Sequence, residues 1–317
     1  MKKILITGGA GFIGSHLAKK LSQIGYAPVI TDRLSGNNIK LKQDRLNKFL
    51  NPDEYIFYNS ELSDYKEIEK IFHSHKFDVI CHFAAKTNLI FNPESYGKNN
   101  VESTTNIFEL AKKFNVPKIV FATTGMVYGN NSKIPFNEKD NTDRPLSLYA
   151  ATKKSNEILA YTYHYLYKIQ MVGLRFFTTY GPWGRVDTSI NKFTEKILKD
   201  EEIEIHTSGK IERDYTYIDD IIDGIIASIE KNFSYELINL GSGKSIELEK
   251  IINLIEHKLG KQAKKKYMPM YEGDLSATWA DIEKAKKLLD YEPKISIEEG
   301  IEKFVDWYKG YYTNLHE

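Results

Sequence analysis

Apolar positions in the first half of the chain fall into short runs, separated by stretches with helical period. Residues 2–7 make one such run, and residues 28–31, 55–58 and 79–83 make three more. After the first, Phe12, Ile13, Leu17, Leu21 and Ile24 recur every three or four positions, which predicts a helix stopped by Gly25. Ile68, Ile71 and Phe72 predict a second helix, and Ile107, Phe108, Leu110 and Ala111 a third over 101–114, punctuated by Pro117. A fifth strand is expected at 116–122, with later strands of the same sheet at 171–176 and 237–240. Helices are expected near 190–199, 219–230, 246–259 and 297–309. Short apolar strands alternating with helices predict an α/β fold, a doubly wound parallel sheet covered on both faces. No internal repeat, low-complexity tract or linker interrupts it.

The turn between the first strand and the first helix carries Gly8, Gly11 and Gly14, with Gly9 giving a second spacing. Glycine belongs there because a Cβ would keep the backbone from a pyrophosphate and from the packed strand. Phe12 and Ile13 then open a helix whose N-terminus would face that pyrophosphate. Between a strand and a helix, the glycine pattern becomes a strong dinucleotide signal. Asp32 ends the second strand about twenty residues on, where a carboxylate suits the ribose diol of NAD and repels a 2′-phosphate. Arg33 beside it leaves three readings: a surface residue, a stack on adenine, or a ligand for a 2′-phosphate. NAD is the expected cofactor.

A second spacing carries the chemistry. Tyr149 and Lys153 stand four residues apart where a helix is expected to start, so a phenol and an ammonium share one face. A cation beside a phenol favours the phenolate and lowers a pKa that is about 10 in water. The expected product is a base able to take a proton from a sugar hydroxyl. Alone, the pair is a common exposed contact on amphipathic helices. Downstream of a glycine-rich first turn, it is the core of the extended short-chain dehydrogenase/reductase family, which this chain resembles over nearly its whole length.

The resemblance implies a Rossmann-type sheet with a smaller, interwoven C-terminal lobe. Residues 1–178, with about 214–240, would bind NAD; residues 179–213 and 241–317 would bind a nucleotide sugar. Glu61 and Leu62 fall where family members place an acid near the adenine, and Ala84, Ala85 and Lys86 where a loop passes the cofactor. Lys153 would hydrogen-bond the nicotinamide ribose. In the sugar-nucleotide epimerase/dehydratase branch, a Ser or Thr four residues before the Tyr of a Val-Tyr-Gly element orients the reacting hydroxyl. Thr124, before Tyr128, occupies that place; the plainer alternative is a strand-end hydroxyl bonding its own backbone. The segment from Arg175 to Arg185 looks like that of the glucuronate-type 4-epimerases, with Thr178 where glucose-type enzymes carry Asn. Arg185 would then pair the sugar carboxylate through its planar fork, and otherwise is a surface arginine after a glycine-rich turn. Arg213 matches the arginine that neutralises the diphosphate, and Asp274 the acid near the nucleotide ribose. Tyr217 and Asp219 read as structural. The spacer 37–45 after Asp32 is also of the glucuronate type.

Branch members that eliminate water carry an Asp-Glu pair directly after this Thr. Here Gly125 and Met126 follow, and neither exchanges a proton, which speaks against a 4,6-dehydratase. Two departures also bear on the sugar. Glucuronate-type enzymes show small hydroxyl residues at those two positions, and an arginine where Ile90 falls. The expected activity is an NAD-dependent 4-epimerase acting through a transient 4-keto sugar, with UDP-glucuronate the leading substrate and UDP-glucose or UDP-GlcNAc next. One alternative is a 4-keto-sugar reductase, for which Arg33 would hold NADPH. The other is a non-catalytic cofactor sensor on the same fold.

Composition narrows the partners. Across 317 residues, 44 Lys and Arg face 43 Asp and Glu, a net charge of +1 that gives no argument for nucleic acid or a membrane surface. The Lys264, Lys265, Lys266 run reads as a solvated face. The single cysteine, Cys81, sits in an apolar run, which excludes a disulfide framework. The histidines are scattered, and metal ligation is not expected. No stretch approaches membrane-span length and Met1 leads directly into a strand, so a cytoplasmic protein is expected. The tyrosine-rich run 161–167 belongs to the helix after Tyr149, which in the family pairs with the 101–114 helix across a dimer interface. A homodimer through 101–114 and 149–168 is expected, a merely buried helix being the alternative.

Overall fold

The computed structural model describes residues 1–35, 39–87, 93–206, 210–270 and 275–313. The strands are β1 (Lys3–Thr7), β2 (Ala27–Asp32), β3 (Ile56–Asn59), β4 (Val79–His82), β5 (Lys118–Thr124), β6 (Gln170–Phe176), β7 (Thr178–Tyr180), β8 (Glu202–His206), β9 (Glu212–Arg213), β10 (Tyr215–Tyr217), β11 (Tyr235–Leu240), β12 (Ile246–Glu247), β13 (Lys264–Met268) and β14 (Ala277–Thr278). The helices are α1 (Phe12–Gln23), α2 (Ile39–Asp44), α3 (Tyr65–Ser74), α4 (Pro93–Tyr96), α5 (Ser103–Lys113), α6 (Leu148–Tyr167), α7 (Ser189–Leu198), α8 (Ile218–Glu230), α9 (Leu248–Leu259), α10 (Glu283–Leu289) and α11 (Ile297–Thr313).

Seven strands form one parallel sheet in the order β11-β6-β5-β4-β1-β2-β3. The order reverses between β1 and β4, and open sheets of this kind bind ligands at the carboxyl ends beside that reversal. Thr7 lies level with Thr31 on one side and His82 on the other, so the loops at Gly8, Asp32 and Phe83 leave the sheet together. Successive side chains point to opposite faces. Ile4 and Ile6 pack into one buried cluster with α1 and α8, while Leu5 packs into a second with α3 and α5. Both faces are covered, which is why the strands read as continuous apolar runs.

The expected doubly wound fold is what forms, with shifts at element ends. The fifth strand runs on to Thr124, because β6 continues to pair with it through Phe176. Val116 instead closes α5 by donating to the Ala111 carbonyl at 2.8 Å. The helix expected from 246 begins at Leu248, since Ile246 and Glu247 pair antiparallel with β9. The sequence pattern missed β8 and β13, which pair in parallel outside the main sheet. The lysine run lies on β13, where Lys265 meets Glu249 at 3.1 Å and Lys266 meets Glu202 at 3.6 Å. Two further small sheets, β10-β7 and β12-β9-β14, build the lobe beyond the carboxyl edge. Among the described residues no helix is long and apolar enough to cross a membrane.

Candidate active site

The glycine turn is packed too closely for side chains. Gly8 holds φ +71°, and a Cβ there would stand 2.8 Å from the Ala84 Cα. A Cβ on Gly14 would lie 2.3 Å from the Gly8 carbonyl oxygen. The loop therefore seats directly on Phe83 and Ala84. Gly11 caps α1 without a side-chain hydrogen bond, and the first turn holds no acid. The free N–H groups and the positive end of the helix dipole face the crevice, as a pyrophosphate requires.

Asp32 ends β2 with one carboxylate oxygen accepting from the Ala10 amide at 3.0 Å. Its other oxygen accepts from Lys42 Nζ at 2.6 Å, a partner that sequence reasoning missed. Arg33 places Nη1 2.5 Å from Glu61 Oε2. That contact engages one nitrogen of a half-exposed guanidinium with the acid expected near the adenine. Leu62 is buried, and Lys86 is fixed by Asn100, whose side chain accepts from the Lys86 amide at 2.7 Å and donates to its carbonyl at 3.0 Å. A glycine cradle, a bare helix N-terminus and a carboxylate at the ribose position together fit NAD.

Thr124 is the last residue of β5, and its hydroxyl accepts from the Met126 amide at 3.2 Å. The same side chain lies close enough to Tyr149 to act on its phenol. Tyr149 sits in the first turn of α6, which Ser147 caps by accepting from the Ala150 amide at 3.1 Å. Burial pushes the Tyr149 phenol up, and the Arg185 charge and the Thr124 side chain oppose it. This corrects the expectation for Lys153. That side chain is 1% exposed and donates to the Ala122 carbonyl at 3.0 Å rather than bracing the phenol. Burial lowers its ammonium to about 8. Of the cations, it is Arg185 whose field lowers the phenol.

Beneath these groups lies a buried network that the pattern did not disclose. Arg175 donates Nε and Nη2 to the two carboxylate oxygens of Glu157, at 2.9 and 2.8 Å. Thr123 donates to the same carboxylate at 2.8 Å, and Arg175 Nη1 reaches the Tyr128 hydroxyl at 2.9 Å. Glu157 lies one turn beyond Lys153, so the network ties α6 to the ends of β5 and β6. Beside it, His82 is held between Thr7 and Thr104 hydroxyls at 2.7 and 2.9 Å, and burial pushes it down to about 3.

The substrate-side residues divide. Arg185 follows β7, and its fork is filled by Asp187, Nε to Oδ1 at 2.9 Å and Nη2 to Oδ2 at 2.5 Å. Thr178 donates its amide to the Asp214 carbonyl at 3.0 Å, next to Arg213. Arg213 Nη1 donates to the carbonyls of Glu212 and Ser276 at 3.0 and 3.2 Å. Asp274 and Ile90 lie outside the described residues. Gly125 is buried under Phe177, whose ring would lie 2.9 Å from an added Cβ, and Met126 is 38% exposed. The structure thus sets Thr124 and Arg185 near enough to Tyr149 to act on its phenol, and leaves Lys153 turned to the strand behind them.

Known proteins share both sequence and shape with this chain. Residues 5–304 match the family model described as GDP-mannose 4,6 dehydratase. A UDP-glucuronate 4-epimerase of Thermodesulfobacterium geofontis is 43% identical over 96% of this chain and 95% of its own. A crystal structure of UDP-glucuronic acid 4-epimerase from Bacillus cereus, in complex with UDP-glucuronic acid and NAD, superposes with a TM-score of 0.91 at 33% identity, covering 98% of this chain and 100% of that one. A UDP-glucose 4-epimerase of Thermotoga maritima, with UDP-glucose, gives 0.90 at 30% identity, covering 98% and 99%.

Proposed function

This chain belongs to the nucleotide-sugar epimerase/dehydratase branch of the extended short-chain dehydrogenases/reductases, the family whose model it matches over residues 5–304, and on that premise we propose that it inverts C4 of UDP-glucuronate. The activity is that of an NAD-dependent nucleotide-sugar 4-epimerase, an isomerase. The observation that carries the reading is Tyr149, set close enough to Thr124 and Arg185 for both to act on its phenol.

Each residue then has a task. Thr124 orients the sugar 4-hydroxyl towards Tyr149. In its phenolate form, which the positive charge of bound NAD would favour alongside Arg185, Tyr149 would take that proton and later return it. Bound NAD would supply a reversible hydride acceptor beside C4. Lys153, whose ammonium donates to the Ala122 carbonyl, would have to turn to reach the nicotinamide ribose of bound NAD. Gly8, Gly11, Phe12, Ile13 and Gly14 line the pyrophosphate turn, and Asp32 the ribose. Glu61, Leu62 and residues 84–86 flank the adenosine and nicotinamide sides. Arg213 and Asp274 serve the diphosphate and nucleotide ribose, Thr178 the sugar, and Arg185 its carboxylate. Gly125 and Met126 give no acid–base pair for eliminating water, so the dehydration in the family model's name is not this chain's reaction.

The division of labour follows: residues 1–178 with about 214–240 for NAD, and 179–213 with 241–317 for the nucleotide sugar. A homodimer through the helices over 101–114 and 149–168 completes the reading. The cytoplasm, where NAD and nucleotide sugars meet, is the compartment this reading implies. The test is incubation of purified protein with UDP-glucuronate and no added cofactor, followed by proton spectra. Appearance of the C4 epimer, and its loss in Tyr149→Phe, is expected. An unchanged spectrum, or inversion of UDP-glucose alone, overturns the assignment.

A further inference from the structure

The Arg185 fork already holds a carboxylate. Asp187, two residues along the same loop, takes both ends of the guanidinium at 2.9 and 2.5 Å. This is the bidentate geometry a sugar carboxylate would adopt. The backbone behind the fork is fixed, because Arg45 donates to the carbonyls of Trp183 and Gly184. The Thr188 hydroxyl also donates to the Arg185 carbonyl at 3.0 Å. The guanidinium lies close enough to Tyr149 for each charge to act on the other. Asp187 itself is 40% exposed and can swing towards solvent.

Two consequences follow from the pair. An acidic sugar gains the fork only by exchanging its carboxylate for that of Asp187. A neutral sugar leaves the pair intact, so its complex does not strand a desolvated guanidinium. A site lacking such a counter-ion would reject the neutral analogue strongly, through the unpaired group left behind.

We propose that Asp187 is a specificity-determining residue, a built-in rival to the substrate carboxylate that weakens the preference for acidic over neutral nucleotide sugars. The proposal rests on the reading of Arg185 as the partner of the sugar acid. Removing the rival has a definite sign. Asn at 187 leaves the fork open to UDP-glucuronate and unpaired beside UDP-glucose. If Asp187 merely aimed the fork, its loss would weaken the acidic sugar instead.

The experiment compares Asp187→Asn, Arg185→Ala and the double variant on UDP-glucuronate and UDP-glucose, reading kcat and KM separately. The expected result for Asp187→Asn is a several-fold lower KM for UDP-glucuronate and about a tenfold rise in the acid-to-neutral kcat/KM ratio. Asp187→Ala should move the ratio in the same direction, and neither change should move it once Arg185 is Ala. A ratio that stays or falls in Asp187→Asn, while Arg185→Ala still impairs the acidic sugar, overturns the role of Asp187 alone. If Arg185→Ala leaves UDP-glucuronate turnover intact, the underlying reading of the fork fails, and the proposal falls with it.

Discussion

Arg45 and Trp183 are joined twice, from Nε at 3.0 Å and Nη2 at 2.6 Å to the same backbone carbonyl. Nη2 also reaches the Gly184 carbonyl at 3.0 Å, and Nη1 the Ala10 carbonyl at 3.1 Å. One buried guanidinium thereby fastens the dinucleotide turn to the loop that carries Arg185. Burial lowers Arg45 to about 10, so it stays charged at neutral pH. Replacing it with Ala strands the buried carbonyls of Ala10 and Gly184 and the part-buried one of Trp183, and a stability loss of about 3 kcal/mol is expected. Lys can serve fewer of them, so Arg45→Lys should fall between. Urea unfolding measures both. NAD retained through gel filtration should drop with stability, and an unchanged midpoint in Arg45→Ala would refute the clamp.

What the sequence disclosed and what it hid follow from distance along the chain. The glycines of the first turn, Thr124 before Tyr128, and Tyr149 with Lys153 are local patterns, and a strand or helix converts each into a known geometry. The sheet was readable for the same reason. Arg45 was hidden because its partners lie at Ala10 and Trp183, far away in sequence. A trace was present: a charge flanked by Leu41, Leu46 and Leu50, all buried. The direction of Lys153 could not be read either. Helical spacing fixes its face, but a long flexible stem decides between a phenol and a strand carbonyl. Nor does spacing reveal that Asp187 closes back on Arg185.

Lys153 is kept at a cost. A buried ammonium lowered from 10.5 to about 8 destabilises the fold at neutral pH, by about 3 kcal/mol if the whole shift is counted. Met fills similar volume and loses only the bond to Ala122, worth about 1 kcal/mol. Lys153→Met is therefore expected to gain about 2 kcal/mol at pH 7 while losing most turnover. The sign with pH is fixed. Between pH 8 and 10.5 the unfolded lysine binds more protons than the folded one, so wild-type stability rises there relative to the variant. Urea midpoints at pH 7, 8.5 and 10 should show the gap closing. A gap that widens with pH contradicts the burial argument.

Gly125 and Phe177 explain why a hydroxyl is absent after Thr124. An added Cβ at 125 would meet the ring at 2.9 Å. Gly125→Ser should cost about 1–3 kcal/mol through overpacking, seen as a lower thermal midpoint. Pairing it with Phe177→Leu removes the obstructing ring edge and should restore most of the loss. If the single variant is as stable as the parent, Phe177 yields freely and the apolar wall is not fixed.

The outer face of α6 carries a stripe of exposed apolar side chains. Ile158, Tyr161, Tyr165 and Leu166 stand 59%, 54%, 63% and 57% exposed at helical spacing. A depression of about 210 Å³ beside them is lined by Lys154, Ile158, Tyr161 and Leu237, away from the Thr124–Tyr149 pair. Four large apolar side chains left in water on one stripe are a standing drive towards association, since burying each is worth about 1.5–3 kcal/mol. A two-fold pairing with the same helix of a second copy covers the stripe with itself. Ile158→Asp places a charge at its centre, and burying that charge unpaired costs more than the contact returns. Sedimentation is expected to find dimers of the parent and monomers of the variant. Dimers that persist in Ile158→Asp and in Tyr165→Asp would move the interface elsewhere on the molecule.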